Sequence, residues 1–319
     1  MSRIGLVLGG GGVSGASYEM ATLMAIRLAT GWEPNDAEVI VGTSGGAYVG
    51  AMVRAGRLHL DSVVRDGEDR DAVADRIRGY LYSNRGAVEL RRWIRHGLIG
   101  GLRQPGLRMF LGAPARYGSE GLEDWVTDTI GDQGSEWPNR PLVAVAYDIV
   151  AGERVAFGTV AAPDVTVPEA VAASSAVPLV FSPAEIDGRL YCDGGVVSGT
   201  HADLVLGAEE ALDLVIILAP MAVDEEREGA WFHERLFDRV GRQSLEAELD
   251  QIMAAWPSTD TLVLRPRPRV LKAMRPNPMD ADTVVPTFIH TLASMKDRLA
   301  AQEVWSTLER HLGPVNEVT

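Results

Sequence analysis

The stretch "VIVGTSGGAYVG", Val39–Gly50, decides how this chain is read. A short β-branched run, Val39–Val41, stops at Gly42, and helical spacing begins near Gly45 and runs through Tyr48, Val49 and Met52 to Gly56. Ser44 sits between glycines where the strand turns into the helix, so Gly42-Thr43-Ser44-Gly45-Gly46 satisfies G-x-S-x-G. The spacing has a steric reason: a nucleophile on a sharp strand-to-helix turn is strained, and neighbours without side chains let the backbone close while the hydroxyl stays presented. The helix N-terminus behind it offers free N–H groups and the positive end of a dipole, which favour a developing oxyanion. A glycine-rich turn with no chemistry uses the same residues, and in a chain with 34 glycines the five positions alone leave both readings open.

Upstream, Ile4–Leu8 is a continuous apolar run of the kind a buried parallel strand shows. Gly9–Gly12 follows, and Ser14–Ala29 carries helical spacing at Tyr18, Ala21, Leu23, Met24, Ile26 and Leu28. The first 56 residues therefore read β-α-β-α, which predicts a parallel sheet with right-handed crossovers. Residues Leu58 to about Gly134 read instead as a helical insertion, with charged helical segments at Glu68–Tyr82 and Ala87–His96 before an apolar, glycine-rich run. The sheet resumes at Pro141–Val150, pairs as a hairpin with Glu153–Gly158, and continues through a helix near Pro168–Ser175 and strands at Arg189–Cys192 and Asp213–Ala219. The remainder reads as amphipathic helices with one strand at Thr261–Arg265. No boundary divides the chain, so 1–319 is expected as one domain: a core over 1–222 with the insertion at about 58–134, and a mostly helical part over 223–319 packed on it.

The 319 residues carry a net charge of -14, which argues against a nucleic-acid partner and against standing attraction to an anionic membrane. The basic run "RRWIRHG", Arg91–Gly97, reads as an exposed helix face. A single cysteine, Cys192, forms no intrachain disulfide and reads as a small buried thiol. The N-terminus shows no secretory pattern, and the longest later apolar run, Leu214–Val223, is broken by Pro220 and falls short of a membrane span. A soluble, cytoplasmic protein is expected.

Two further stretches bear on Ser44. In "VLGGGGVSGASYEM", Val7–Met20, a strand runs into four glycines and a helix, a turn whose N–H groups suit an anion. In "YCDGGVVSGTHADL", Tyr191–Leu204, Asp193 ends a strand before Gly194 and Gly195. His201 and His290 are conceivable base partners for Ser44, but none of the six histidines lies in a recognisable loop after a strand, so the base need not be histidine. No cluster of metal ligands is visible.

Together these stretches resemble the patatin-like phospholipase family, in order and in spacing. Gly10-Gly11-Gly12-Val13-Ser14-Gly15 looks like its glycine-rich oxyanion loop, Ser44 lies on its elbow, "ASSAVPLVFSP" (Ala173–Pro183) looks like its A-S-x-A-x-P block, and Asp193-Gly194-Gly195 looks like its D-G-G aspartate. The resemblance covers roughly Ile4–Met221. It implies a three-layer α/β/α fold with a mostly parallel central sheet, a helical insertion and a helical C-terminal region. It also implies a Ser–Asp dyad: Ser44 as nucleophile, Asp193 as general base, the N–H groups of Gly10, Gly11 and Gly12 as oxyanion hole, and Gly42 and Gly46 shaping the elbow. The substrate would be a lipid or other acyl ester, met through transient peripheral membrane contact, and no cofactor or metal would be needed. The family commonly has Arg or Lys where this chain has Ser14.

Two other readings compete. Gly10-x-Gly12-x-x-Gly15 also fits a dinucleotide fingerprint, but the expected acidic residue ending the second strand is absent. A non-catalytic lipid-binding protein on the same fold would account for Ser14. The apolar side chains Trp93, Ile94, Leu98, Ile99, Leu102, Met109, Phe110 and Leu111 read as cap packing, with an acyl-channel lid as the alternative.

Overall fold

The computed structural model describes residues 2–83, 111–113, 115–134, 136–223 and 232–313. Among these, the strands are β1 (Ile4–Leu8), β2 (Val39–Thr43), β3 (Leu142–Asp148), β4 (Glu153–Phe157), β5 (Ala184–Ile186), β6 (Arg189–Asp193), β7 (Leu214–Leu218) and β8 (Asp260–Leu264). The helices are α1 (Gly12–Thr30), α2 (Gly45–Arg54), α3 (Leu60–Val63), α4 (Arg70–Leu81), α5 (Glu120–Ile130), α6 (Val167–Ser174), α7 (Phe232–Ala255), α8 (Pro268–Ala273), α9 (Val284–Leu299) and α10 (Gln302–Leu312).

One sheet runs in the order β5-β6-β3-β2-β1-β7-β8, with β4 on β3 as well. The ladders β3-β2, β2-β1, β1-β7 and β7-β8 are parallel, whereas β4, β6 and β5 pair antiparallel at one side. Continuous apolar strands such as IGLVL and LVIIL are what burial on both faces requires. Alternate side chains divide between two cores: Leu6, Leu8, Ile40, Ile216 and Leu218 pack with α1, α2, α6 and α9 on one face. Val7, Val41, Val215 and Ile217 pack with Leu245 and Ile252 of α7 and with Ala202 and Val205 on the other. The expected three layers follow from this strand period of two.

Strand β3 brings the ends of two other strands together. It pairs with β4 along 144–148, and its opposite edge serves two partners: β2 over 142–145 and β6 over 146–148. Because β2 is parallel and β6 antiparallel to β3, their C-terminal ends meet head-on, with Thr43 opposite Val145 and Asp193 opposite Ala146.

Sequence and structure agree on most elements, within a residue or two at the ends. The short strand β5, three residues long, carries too little pattern to be read in advance. Leu28 is 80% exposed rather than part of the α1 core. Over 58–134 the described residues hold α3, α4 and α5 and no named strand, apart from an isolated bridge between Tyr117 and Phe181. The basic run 91–97 and the apolar residues 93–110 lie outside the described residues. Leu111 is buried against Ile149, Leu190 and Cys192, and Cys192 is a buried free thiol.

Candidate active site

The chain turns from β2 into α2 through Ser44, which holds φ 55° and ψ -123°, a region that side-chain-bearing residues rarely occupy. Two glycines make the turn sterically possible. A Cβ on Gly46 would lie 2.1 Å from the Leu8 carbonyl oxygen, and one on Gly42 would lie 2.6 Å from Ala47 Cα. The elbow is thus pressed onto the end of β1, which brings the next glycine-rich turn beside it: a Cβ on Gly10 would stand 3.5 Å from Ser44 Cβ.

That second turn corrects one expectation. The Gly10 N–H donates to the Gly199 carbonyl at 2.7 Å and the Gly9 N–H to the Leu218 carbonyl at 2.9 Å, so Gly10 is committed to holding the loop. The N–H groups of Gly11 and Gly12 have no partner among the described residues. Gly12 takes φ 60°, and a Cβ there would clash with Met279 and the Pro278 carbonyl. The Pro278 carbonyl also accepts from the Ser14 N–H at 3.1 Å. Residues 278–279 therefore pack against the first turn of α1, and β2 ends in Gly42-Thr43 with no acidic residue for a ribose, which disfavours the dinucleotide reading. Ser14 is fully buried.

The A-S-x-A-x-P block explains itself in these contacts, which sequence reading did not foresee. Helix α6 begins with a capping box between Thr166 and Glu169 and ends at Ser174. The Ser174 hydroxyl accepts the Ser44 backbone N–H at 2.9 Å and donates to the Val145 carbonyl at 2.6 Å. Two residues on, the Ala176 carbonyl accepts the Asp193 N–H at 3.0 Å. One turn thus fixes the backbone at both Ser44 and Asp193.

Asp193 is 5% exposed and Ser44 equally so. The Gly195 N–H donates to the Asp193 carboxylate at 2.7 Å. Burial pushes the Asp193 pKa up to about 6, with the adjacent Ser44 hydroxyl and the Gly195 N–H pulling the other way. A buried carboxylate poised near neutrality beside a strained serine can accept its proton.

The histidines are placed elsewhere. His201 Nε2 lies 3.1 Å from the Gly194 carbonyl, so it carries the proton, and Nδ1 faces Arg154. Burial lowers the His201 pKa, consistent with a neutral ring. His290 Nδ1 accepts from Arg269. Neither ring is aimed at Ser44. His201, Asp203 and Glu248 bring ligand-type atoms within 4.8 Å of one another. Arg154 grips both Asp203 oxygens at 2.9 and 2.5 Å, and the Glu248 oxygens accept three protein donors. A guanidinium already stands where a cation would go.

An apolar pocket opens from Ser44 between α1, α2 and α5, lined by Val13, Ala16, Tyr48, Leu122, Trp125 and Val126. Tyr48 and Trp125 stack in it with ring centroids 4.3 Å apart. A polar cleft of about 420 Å³ includes Arg54 and Arg140. It lies at the far end of α2, about 15 Å of helix from Ser44, and shares nothing with these motifs. No helix among the described residues is long and apolar enough to cross a membrane.

A Legionella pneumophila protein, VipD, aligns over 92% of this chain and 67% of its own at 14% identity with a TM-score of 0.35. Uncharacterised NTE-family proteins of Mycobacterium tuberculosis (strain H37Rv) and Mycobacterium bovis are 30% identical over 214 residues, 64% of this chain. The chain matches only 48% of their length. The family model described as patatin-like phospholipase matches residues 6–206, a span holding both turns, the 173–183 block and Asp193, and the chain belongs to that family.

Proposed function

We propose that the protein is a serine acyl hydrolase that cleaves a fatty acyl ester through Ser44, Asp193 and an acyl-enzyme. The observation that carries this reading is the meeting of β2 and β6 end to end on one edge of β3, which sets a strained serine against a buried carboxylate beside an apolar pocket. Membership of a phospholipase family supports a lipid as the source of the ester.

In the reaction, Ser44 Oγ attacks the ester carbonyl while Asp193 takes its proton. The oxyanion develops toward the free N–H groups of Gly11 and Gly12, donors of a kind worth about 3–4 kcal/mol each. Collapse breaks the ester bond, and the leaving alcohol recovers the proton from Asp193. Water, deprotonated by Asp193, then attacks the acyl carbon and releases the fatty acid and Ser44. The pocket beside Ser44 offers apolar side chains to the start of the acyl chain. A lysophospholipid, a phospholipid or a simpler glyceride all present this ester.

The test is hydrolysis of p-nitrophenyl esters of increasing chain length by the wild type, Ser44→Ala and Asp193→Asn. Each substitution is expected to lower kcat by at least about 10³-fold with an unchanged circular dichroism spectrum. The wild-type kcat/KM should rise with pH through a midpoint near 6, as Asp193 gives up its proton. Activity that survives Ser44→Ala sinks the mechanism. A wild type inert on every ester moves the reading to a lipid-binding protein on the same fold.

A further inference from the structure

Helix α7 covers the second face of the sheet with a buried stripe at Gly241, Leu245, Glu248 and Ile252. Three of these positions suit a core, whereas Glu248 puts a carboxyl group, 5% exposed, on the same apolar stripe. A buried carboxylate survives only when its oxygens are satisfied. Here Oε1 accepts from the Ser198 hydroxyl at 2.5 Å, and Oε2 accepts from the Thr200 hydroxyl at 2.6 Å and the Ala202 N–H at 2.7 Å. All three donors belong to one short segment, 198–202.

That segment touches both halves of the candidate site. Its Gly199 carbonyl accepts the Gly10 N–H at 2.7 Å, which fixes the start of the oxyanion loop. Its His201, held at φ 53°, donates Nε2–H to the Gly194 carbonyl at 3.1 Å, directly after Asp193. On its outer side His201 meets Arg154, which is itself held by Asp203. We propose that Glu248 is a positioning residue: by gathering Ser198, Thr200 and Ala202 it sets the 198–202 segment, and through Gly199 and His201 it fixes the oxyanion loop and the Asp193 turn in register with each other. The proposal rests on the acyl-hydrolase reading for its effect on rate, but not for its effect on structure. Glu248 touches neither Ser44 nor Asp193 and lies 204 positions from the nucleophile in sequence, on the opposite face of the sheet from α1 and α2.

The physical reason to expect an effect on rate is geometric. Misplacement of a reacting group by about 1 Å costs up to roughly 100-fold, while the binding surface is untouched. The experiment combines two readouts on the wild type, Glu248→Ala and Glu248→Gln. Hydrogen exchange is followed in peptides covering 9–15 and 193–202. Turnover of a p-nitrophenyl ester is expressed per serine titrated with a fluorophosphonate probe, so that a smaller folded fraction does not register as slower chemistry.

Glu248→Ala should speed exchange in both peptides and lower kcat per titrated serine by about tenfold or more, with KM changed by less than about twofold. Glu248→Gln presents an acceptor of the same shape to Thr200 and Ala202 and should return kcat to within a few-fold of wild type. Where Glu248→Ala does not fold, Thr200→Val removes one of the three donors and should move both readouts the same way by less. Exchange that speeds up only in α7, with the 9–15 peptide unaltered, overturns the proposal. So does turnover per titrated serine equal to wild type in Glu248→Ala. A wild type that hydrolyses no ester ends the acyl-hydrolase reading alone, because the exchange data still decide whether Glu248 couples the two segments.

Discussion

Ser44 and Asp193 sit at the ends of two strands that meet on one edge of β3, yet they are held in different ways. The bend at Ser44 is admitted by its own neighbours, Gly42 and Gly46, with α2 starting at once behind it, and a single distant hydroxyl, Ser174, takes its N–H. The Asp193 turn is held by hydrogen bonds from nearby stretches of chain, with the Ala176 carbonyl accepting its N–H and His201 donating to the Gly194 carbonyl. A local turn has its reason written in adjacent letters. A turn held by hydrogen bonds from other segments has its reason outside those letters, and it is the more sensitive to changes in the segments that hold it.

Substitutions can break or sharpen that contrast. The largest effect is expected from Gly46→Ala, which forces a methyl to within 2.1 Å of the Leu8 carbonyl. Both partners are backbone, so relief requires β1 and α2 to part, at a cost of about 3 kcal/mol or more. Urea denaturation should show the loss directly, and near wild-type stability would show that the elbow is looser than described.

Next comes Asp193→Asn, whose effect on stability runs against its effect on rate. Asp193 titrates near 6 in the folded chain and near 3.8 when unfolded. Between those values the folded state keeps a proton that the unfolded state has released, so its stability falls as pH rises from about 4 through 6. Asparagine does not ionise. The variant should therefore gain on the order of 2–3 kcal/mol over wild type at about pH 8 and nothing near pH 4. Melting temperatures at the two pH values decide it, and a difference that does not change with pH would show that the Asp193 pKa is not raised in the folded chain.

Ser174→Ala should be milder. It removes the acceptor of the Ser44 N–H and leaves the Val145 carbonyl without its donor. We expect a loss of about 1–2 kcal/mol of stability and a drop in kcat of about tenfold, with Ser174→Thr restoring part of both. An unchanged kcat would mean that the glycines hold the elbow unaided. The smallest effect belongs to Thr166→Ala at the far end of α6. It costs about 1 kcal/mol through the lost capping box and should leave kcat per folded molecule as it was.

Much of the fold was legible in the sequence, for identifiable reasons. Ile4–Leu8, Val39–Val41 and Asp213–Ala219 are apolar and short, and they alternate with helical spacing, so the parallel part of the sheet and its three layers followed. Ser44 and Asp193 stood out because each has glycines at fixed offsets. Less legible was the work of the residues between the motifs. Nothing local marks Ser174 as the acceptor of the Ser44 N–H, or Gly199 as the partner that removes Gly10 from the set of free donors. The role of Ser14 also changed: it reads as a missing charge in sequence, while in the structure it is a buried residue under Pro278.

The sequence by itself determined the strand and helix order, the two glycine-rich turns and the residue types brought to them, because those depend on steric limits and periodicities that act within a few residues. Only the tertiary structure decided that β2 and β6 share one edge of β3 and meet end to end. Only there does the segment 198–202, gathered by Glu248, reach both the Gly10 N–H and the Gly194 carbonyl. Hydrogen bonds between residues far apart in sequence leave no periodic trace, since each needs a single donor and acceptor that only the packed sheet and helices bring within about 3 Å.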